Sequence, residues 1–336
     1  MRFYSDNTAG VCPEILTALA AANVGSAHSY GEDPWTARLD EVFGTFFGTD
    51  VRAFPVATGT AANSLSLAAL ASPYETIFAH EQAHVVRDEF GAPEFFTGGA
   101  RLVPVSGEHG KLTVAALASA LSASTQSMRP AALSLTQVTE LGTAYRPAEL
   151  TSLSTLAHAH GLKVHMDGAR LANALAFLDS HPGDVTWRAG VDVLSFGATK
   201  NGALAAEAVV FFDRTLARDF ELRRRRAGHL LSKSRYISVQ LLAYIESGVW
   251  RRNAARANAQ AAILGRHAGR LLSHPVESNQ LFVQLDSERK EQLRDAGFEF
   301  CDWDASSPGE ARFVVSWDQT ESDVEALCTA LSRLSQ

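Results

Sequence analysis

The chain has 336 residues, 46% of them hydrophobic, so it can bury a large core and is too long for one compact unit of ordinary size. We therefore expect two closely associated domains. A formal net charge of -7 excludes a globally basic surface for nucleic acid or an anionic membrane. No apolar run approaches the ~20 residues that a membrane helix needs, which leaves small-molecule chemistry as the expected function.

Three cysteines, Cys12, Cys301 and Cys328, lie far apart in the sequence. They form no C-x-x-C pair and have no histidine spacing typical of zinc, so we predict reduced thiols and no metal site. The first ten residues lack the charged and then apolar pattern of a signal peptide. These features together predict an unprocessed, cytoplasmic protein.

Apolar runs rich in β-forming residues alternate with stretches rich in alanine and leucine, a pattern typical of an α/β fold with a mostly parallel sheet. Seven candidate strands are Ala53–Val56, Thr76–Ala79, Leu102–Val105, Ala132–Leu135, Val164–Met166, Val191–Phe196 and Ala208–Phe212. Helix candidates lie between them and include "TGTAANSLSLAALA", "LTVAALASALSAS" and "ELTSLSTLAHAHG", the last ending at Gly161. A charged helical run reaches Arg226, a long helical stretch starts near Ser238, and "ESDVEALCTALSRL" is the last helix.

We place a domain boundary near Tyr244. Residues 1–244 are predicted to form a large domain that includes an N-terminal segment and a seven-stranded sheet flanked by helices. Residues 245–336 are predicted to form a smaller α+β domain. Because ligands bind at the carboxyl ends of strands in such sheets, the residues that follow each strand are the candidates for chemistry.

The first unusual strand end is "ATGTAANS" after Ala53–Val56. Gly59 permits close backbone approach, and Thr58 and Thr60 bring hydroxyls to a helix N-terminus. The first helical turn has unpaired N–H groups and the positive end of the helix dipole, so this loop is a candidate anion site.

Two more strand ends carry charge. "DGAR" follows Val164–Met166 and has Asp167 at the strand tip with Arg170 three residues on, and Lys200 follows Val191–Phe196 in "SFGATKNG". Each feature alone is commonly a helix cap, a surface ion pair or a solvated lysine. Together at one sheet edge they fit pyridoxal phosphate, which needs a phosphate site, a carboxylate for its ring nitrogen and a lysine for a Schiff base.

Several blocks in order also carry a family resemblance: "SDNTAGVCPE", "YGEDPWT", "ATGTAANS", "HEQAH", "HMDGARLANA" and "SFGATKNG". Together they resemble the L-threonine aldolases, a pyridoxal-phosphate family of the aspartate-aminotransferase fold, and especially its low-specificity threonine and phenylserine branch. The resemblance implies cleavage of a β-hydroxy-α-amino acid to glycine and an aldehyde.

Within that resemblance, Lys200 is the Schiff-base residue and Asp167 the partner of the ring nitrogen. Gly59 and Thr60 are phosphate ligands, and His84 stacks on the ring.

The resemblance assigns the substrate carboxylate to Arg170 and Arg312, and adds Ser5 and Tyr30 from the N-terminal segment as active-site groups. It also implies a homo-oligomer, a dimer or a dimer of dimers such as a homotetramer, with active sites at the subunit interface.

Two departures from the family pattern affect the residue roles. Where many members have a second histidine, this chain has "TQVTELG", with Thr139 and Glu140 near that place, and Thr139 is our candidate substrate ligand. Where many have a phosphate-binding arginine, this chain has "LLSKSR", so Lys233 is the candidate. The sequence does not name the general base, for which His84 or a water that it holds is our choice because imidazole titrates near neutral pH.

Two alternatives remain open. Another pyridoxal-phosphate enzyme, an aminotransferase or desulfurase, would half-transaminate without releasing an aldehyde. A non-catalytic binding protein of the same fold is disfavoured by the intact Lys200 and Asp167. Nucleotide binding is excluded, because no G-x-G-x-x-G follows a strand and "ATKNG" lacks the flanking residues of a P-loop lysine.

Overall fold

The computed structural model describes residues 1–124, 128–303 and 309–335. Its main feature is a seven-stranded sheet built from β1 to β7. The strands are β1 (Arg52–Val56), β2 (Thr76–His80), β3 (Arg101–Val105), β4 (Pro130–Thr136), β5 (Lys163–Gly168), β6 (Val193–Gly197) and β7 (Glu207–Phe211). Their order across the sheet is β1-β7-β6-β5-β4-β2-β3, and β7 alone runs antiparallel to its neighbours.

All seven predicted strands are present within two residues of their predicted bounds, which confirms the mostly parallel α/β sheet. The central strands β2, β6 and β7 are buried along their whole length. Because helices cover both faces of such a sheet, the sequence of a central strand is a continuous apolar run and does not alternate between apolar and polar residues.

The α-helices have the following bounds: α1 (Pro13–Ala22), α2 (Pro34–Ala37), α3 (Leu39–Phe47), α4 (Gly59–Leu70), α5 (His84–Arg87), α6 (Ala92–Thr97), α7 (Val114–Ser122), α8 (Pro147–Ala159), α9 (Leu171–Leu178), α10 (Phe220–Arg226), α11 (Arg235–Glu246), α12 (Val249–Ala268), α13 (Ser287–Asp295) and α14 (Glu321–Leu334). The predicted C-terminal end of α8 is confirmed, because Gly161, with φ +78°, directly follows the C-cap residue of this helix. None of the described helices is long and apolar enough to cross a membrane.

A second sheet has three antiparallel strands in the order β8-β10-β9, with β8 (Gln280–Gln284), β9 (Cys301–Asp302) and β10 (Glu310–Val314). It has its own apolar core, formed with α12, α13 and α14. Tyr244, near which the sequence places the domain boundary, lies inside α11, and the chain turns at Gly248 before α12 begins.

The N-terminus joins this second sheet rather than the first. The backbone of Phe3 donates to the carbonyl of Glu299 at 2.8 Å and accepts from the amide of Val314 at 2.8 Å. The Phe3 side chain is fully buried in the core of the small sheet. The next residues then reach the large sheet, so the N-terminal segment links the two sheets.

Candidate active site

The carboxyl ends of the parallel strands bring half of the twelve predicted site residues to one cavity. This cavity has about 420 Å³ of empty space, part of it open to solvent. Six predicted residues line it: Gly59, Thr60, His84, Asp167, Arg170 and Lys200. They lie at or just after the carboxyl ends of β1, β2, β5 and β6, where ligands of doubly wound folds bind.

The N-terminus of α4 forms one wall of the cavity. The Thr58 hydroxyl caps the helix by accepting from the amide of Ala61 at 3.2 Å, so it serves the backbone. A Cβ placed on Gly59 would meet no heavy atom within 4 Å, so space for an anion is open beside the first turn. The unpaired amides of this turn are therefore available to a phosphate.

Asp167 is buried and its carboxylate is held in place. Asn63 donates to its Oδ2 at 2.8 Å, and the amide of Ala169 donates to its Oδ1 at 3.0 Å. On the same side of β5 lies the fully buried His165, whose ring nitrogens contact the hydroxyls of Ser134 and Ser195 at 2.9 Å each. Burial lowers the pKa of His165 to about 4, so this imidazole is neutral at physiological pH.

Lys200 lies in a short 3-10 turn, Thr199–Asn201, directly after β6. Within the described residues its ammonium has no hydrogen-bond or salt-bridge partner. Burial, and then the positive charge of Arg170, lowers the pKa of Lys200 from its ordinary value. An amine that loses its proton more readily is a better nucleophile, which is the property that a Schiff-base lysine requires.

A buried carboxylate that the sequence did not point to connects His84 with Asp167. Glu89 accepts from Asn63 Nδ2 at 2.8 Å and contacts His84 Nδ1 at 2.9 Å. The hydrogen bond with Glu89 raises the pKa of His84 despite partial burial. The sequence signal was Asn63 itself, a residue with a carboxamide side chain among small and apolar residues of α4.

Arg170 forms a buried pair with Asp6, a second residue that the sequence analysis missed. Its Nε and Nη2 donate to the two carboxylate oxygens at 2.7 and 2.8 Å, and Asn279 donates to Asp6 at 3.1 Å. Arg312 on β10 lies near this pair, over the ring of Trp303, and its Nε has no hydrogen-bond partner in the described chain. Asp6 is therefore paired with Arg170, and Arg312 interacts with both charges only at longer range.

The segment after β4 presents alternate residues to the cavity. Thr136, Val138 and Glu140 line it, whereas Gln137 and Thr139 do not. The chain bends at residues 137 and 138, directly after β4, so this arrangement comes from the local turn and not from a continued strand. The Thr139 hydroxyl instead contacts the hydroxyl of Thr143 at 2.8 Å, so the structure does not bring this predicted substrate ligand to the site.

Five other predicted residues also lie outside the cavity lining: Thr58 and Arg312, whose contacts are given above, and Ser5, Tyr30 and Lys233. Ser5 stands next to Asp6, and its hydroxyl caps a turn by accepting from the amide of Asn7. Tyr30 is half exposed, has φ +55° and lines a different cavity. Lys233 is exposed, and its segment contacts that of Tyr30 through a 3.0 Å hydrogen bond from the Tyr30 amide to Ser232.

The donor set fits pyridoxal phosphate. A held carboxylate, an amine without a partner and an open helix N-terminus lie around one cavity, and each matches one functional group of that cofactor. A larger cavity between α12 and α14 has neither a lysine nor a strand end in its lining. The first cavity is therefore the candidate active site.

Comparisons with known proteins identify the family of the chain. A model of the beta-eliminating lyase family matches residues 2–288. The chain is 43% identical over 333 residues to the low specificity L-threonine aldolase of a Pseudomonas species, covering 97% of this chain and 95% of that protein. It is 44% identical over 324 residues to the enzyme of the same name from Pseudomonas aeruginosa, covering 94% and 93%.

Solved structures give the same relationship. The threonine aldolase of Leishmania major superposes with a TM-score of 0.92 at 28% identity, covering 100% of this chain and 99% of that chain. Serine palmitoyltransferase of Sphingomonas wittichii, at a TM-score of 0.74 and 16% identity over 99% and 86%, shares the fold alone. The chain belongs to the beta-eliminating lyase family, within its L-threonine aldolase branch.

Proposed function

We propose that this chain catalyses the pyridoxal-phosphate-dependent retro-aldol cleavage of L-β-hydroxy-α-amino acids. L-Threonine, L-allo-threonine and L-phenylserine would each give glycine and an aldehyde. One observation supports this most directly: Lys200, whose pKa is lowered, lines the same cavity as the held carboxylate of Asp167. The names of the bacterial relatives give the substrate class.

Four groups would hold the cofactor. Lys200 would bind its aldehyde carbon, Asp167 its ring nitrogen, and Gly59 with Thr60 its phosphate at the N-terminus of α4. Bound pyridoxal phosphate supplies an aldehyde that condenses with amino groups and a ring that accepts the electron pair of a breaking bond at Cα. His84 would stack on the ring, with its Nδ1 occupied by Glu89.

Arg170 and Arg312 would bind the substrate carboxylate. Arg170 uses Nε and Nη2 for Asp6, which leaves Nη1 outside that pair, and the Nε of Arg312 is unpartnered in the described chain. Burial, and then the charge of Arg170, lowers the pKa of Arg312, which means that a second anion would be favourable there. An α-carboxylate satisfies that need with charge-assisted hydrogen bonds.

A homo-oligomer, either a dimer or a dimer of dimers, is part of the proposal. Tyr30 and Lys233 lie outside the cavity of their own chain, so a second copy would bring them to the site. Phe90 is fully exposed and Leu222 is 68% exposed, and such an interface would cover apolar side chains of this kind. The three cysteines are free thiols, as the proposed cytoplasmic location requires.

The test is aldehyde release from L-threonine, L-allo-threonine and L-phenylserine by the purified, cofactor-loaded protein. We expect an aldehyde and glycine in equal amounts. Lys200→Ala should lose both the activity and the covalent adduct that borohydride fixes. Pyruvate from L-serine or L-cysteine, or transamination without aldehyde, would contradict the proposal in favour of another pyridoxal-phosphate reaction.

A further inference from the structure

Glu140 is a buried carboxylate in the cavity with one oxygen fixed and the other unused. Its Oε1 accepts from the backbone amide of His84 at 2.7 Å. Its Oε2 is buried and has no hydrogen-bond partner among the described residues. A buried polar atom without a partner is costly in free energy, and in a substrate cavity it marks the place of a ligand group.

The groups that face Glu140 make it a suitable proton acceptor. Burial, and then the negative charge of Asp167, raises its pKa to about 7, while the hydrogen bond from the His84 amide and the charge of His84 oppose the rise. Arg170 and Tyr145 also interact with Glu140, and the positive charge of Arg170 favours its ionised form. A general base works best when its pKa lies near the working pH.

His84 is a less suitable proton acceptor than Glu140. Its Nδ1 is occupied by Glu89, and this hydrogen bond raises the pKa of the imidazole. A more basic imidazole is protonated over more of the neutral range, so less of it can accept a proton.

We propose that Glu140 is the catalytic residue that takes the proton of the substrate's β-hydroxyl, an assignment that rests on the proposed retro-aldol function. The O–H proton moves to Oε2, and the Cα–Cβ bond breaks with its electron pair left on the glycine carbon. The C–O bond becomes the carbonyl of the aldehyde. The glycine carbon then takes up one proton from Oε2 or from solvent, and Glu140 returns to its ionised form, so one turnover involves no net gain or loss of protons.

Glu140→Gln is the informative variant, because glutamine keeps an oxygen for the His84 amide and cannot accept the proton. We expect aldehyde release from L-threonine to fall by about 10²–10⁴-fold, the usual contribution of a positioned acid or base. Exchange of the glycine α-proton in heavy water involves no β-hydroxyl and should stay within about threefold of wild type. Cofactor affinity, titrated by absorption with the apoenzyme, should also be retained.

Glu277→Gln is the matched control. Glu277 likewise accepts a backbone amide, that of Ala144 at 2.8 Å, but it does not line the cavity. Both reactions should keep wild-type rates in that variant.

Two further measurements separate chemistry from structure. In wild type the kcat/KM for L-threonine should rise with pH through about 7, since the base must be ionised, and Glu140→Gln should lose this rise. Formate should restore part of the aldehyde release of Glu140→Ala, because a small carboxylate can occupy the vacated space.

The outcomes distinguish the two proposals. If wild type releases no aldehyde, the proposed function itself fails. If wild type is active and Glu140→Gln stays within a few-fold of it, or loses proton exchange and cleavage equally, then Glu140 is not the base and the aldolase function stands.

Discussion

Replacing Asp6 with asparagine should destabilise the protein far more than loss of a surface ion pair does. Asp6 and Arg170 form a two-point pair in which the side chains are only 1% and 13% exposed. Removing one partner of a buried pair typically costs 3–5 kcal/mol, since the other charge stays buried without compensation. Asparagine keeps one oxygen acceptor, so we expect the lower end, about 3 kcal/mol.

The assay is urea unfolding of the apoenzyme at pH 7, followed by tryptophan fluorescence and circular dichroism. Asp184→Asn is the control: its pair with Arg188 is 43% and 45% exposed and should contribute less than about 1 kcal/mol. Added inorganic sulfate should stabilise Asp6→Asn more than wild type, because an anion can replace the lost charge between Arg170 and Arg312. If Asp6→Asn loses no more unfolding free energy than Asp184→Asn does, the reasoning is refuted.

The difference in unfolding free energy between wild type and Asp6→Asn should change with pH in one direction. Burial alone would raise the pKa of Asp6, but the attraction and hydrogen bonds of Arg170, with smaller contributions from Lys200 and Asn279, hold it below its ordinary value. The stabilisation is therefore complete above the unfolded pKa near 3.9 and is lost as the pH falls through the folded value. The gap between wild type and Asp6→Asn should narrow in acid.

Three further substitutions test the site. Asp167→Asn should retain the cofactor, seen by absorption, yet slow aldehyde release by orders of magnitude, because the amide cannot stabilise a protonated ring nitrogen; near-native turnover would mean that another acid has this role. Thr139→Ala should keep most activity toward L-threonine, since its hydroxyl lies outside the cavity, and a large loss of turnover would contradict that placement. His84→Phe keeps an aromatic face and should reduce aldehyde release less than Glu140→Gln does. If His84→Phe instead causes the larger loss of aldehyde release in a side-by-side assay, His84 is the base.

The strands and the strand-end residues could be predicted because both depend on local patterns. A strand buried on both faces is an apolar run, and the residue that follows it lies at the sheet edge whatever the rest of the chain does. Asp167 and Lys200 were found in this way. The family resemblance added Arg312, which lies on β10 of the second sheet.

The partners of these residues could not be predicted, since they come from distant segments. Asp6 reaches Arg170 across 164 positions, and Asn279 reaches Asp6 across 273. Spacing in the sequence contains no signal for such pairs. The position of Thr139 outside the cavity has a different cause: the chain bends at residues 137 and 138 after β4, and the sequence does not show which of Thr139 and Glu140 then faces the cavity.

The paired carboxylate of Asp6 and the unpaired carboxylate of Glu140 affect stability and proton exchange differently. Asp6 is matched by Arg170, so its ionised form stabilises the fold and does not exchange protons near neutral pH. Glu140 lacks such a partner, and burial raises its pKa from 4.5 to about 7, so holding it ionised costs roughly 3 kcal/mol at 1.36 kcal/mol per pKa unit.

A carboxyl whose folded pKa is raised favours folding less as the pH climbs from the unfolded value toward 7, and above 7 its whole cost is present. Glu140→Gln should therefore unfold at a higher temperature than wild type at pH 8 and lose that advantage near pH 5, in differential scanning calorimetry of the apoenzymes. Glu277→Gln, whose carboxylate is bound by the Ala144 amide and by Arg146, should show no such gain. If Glu140 is left without a partner so that it can bind the substrate's hydroxyl, Glu140→Gln should be both more stable and less active than wild type at pH 8. If Glu140→Gln and wild type are equally stable at both pH values, Oε2 is already solvated or hydrogen-bonded in the folded protein.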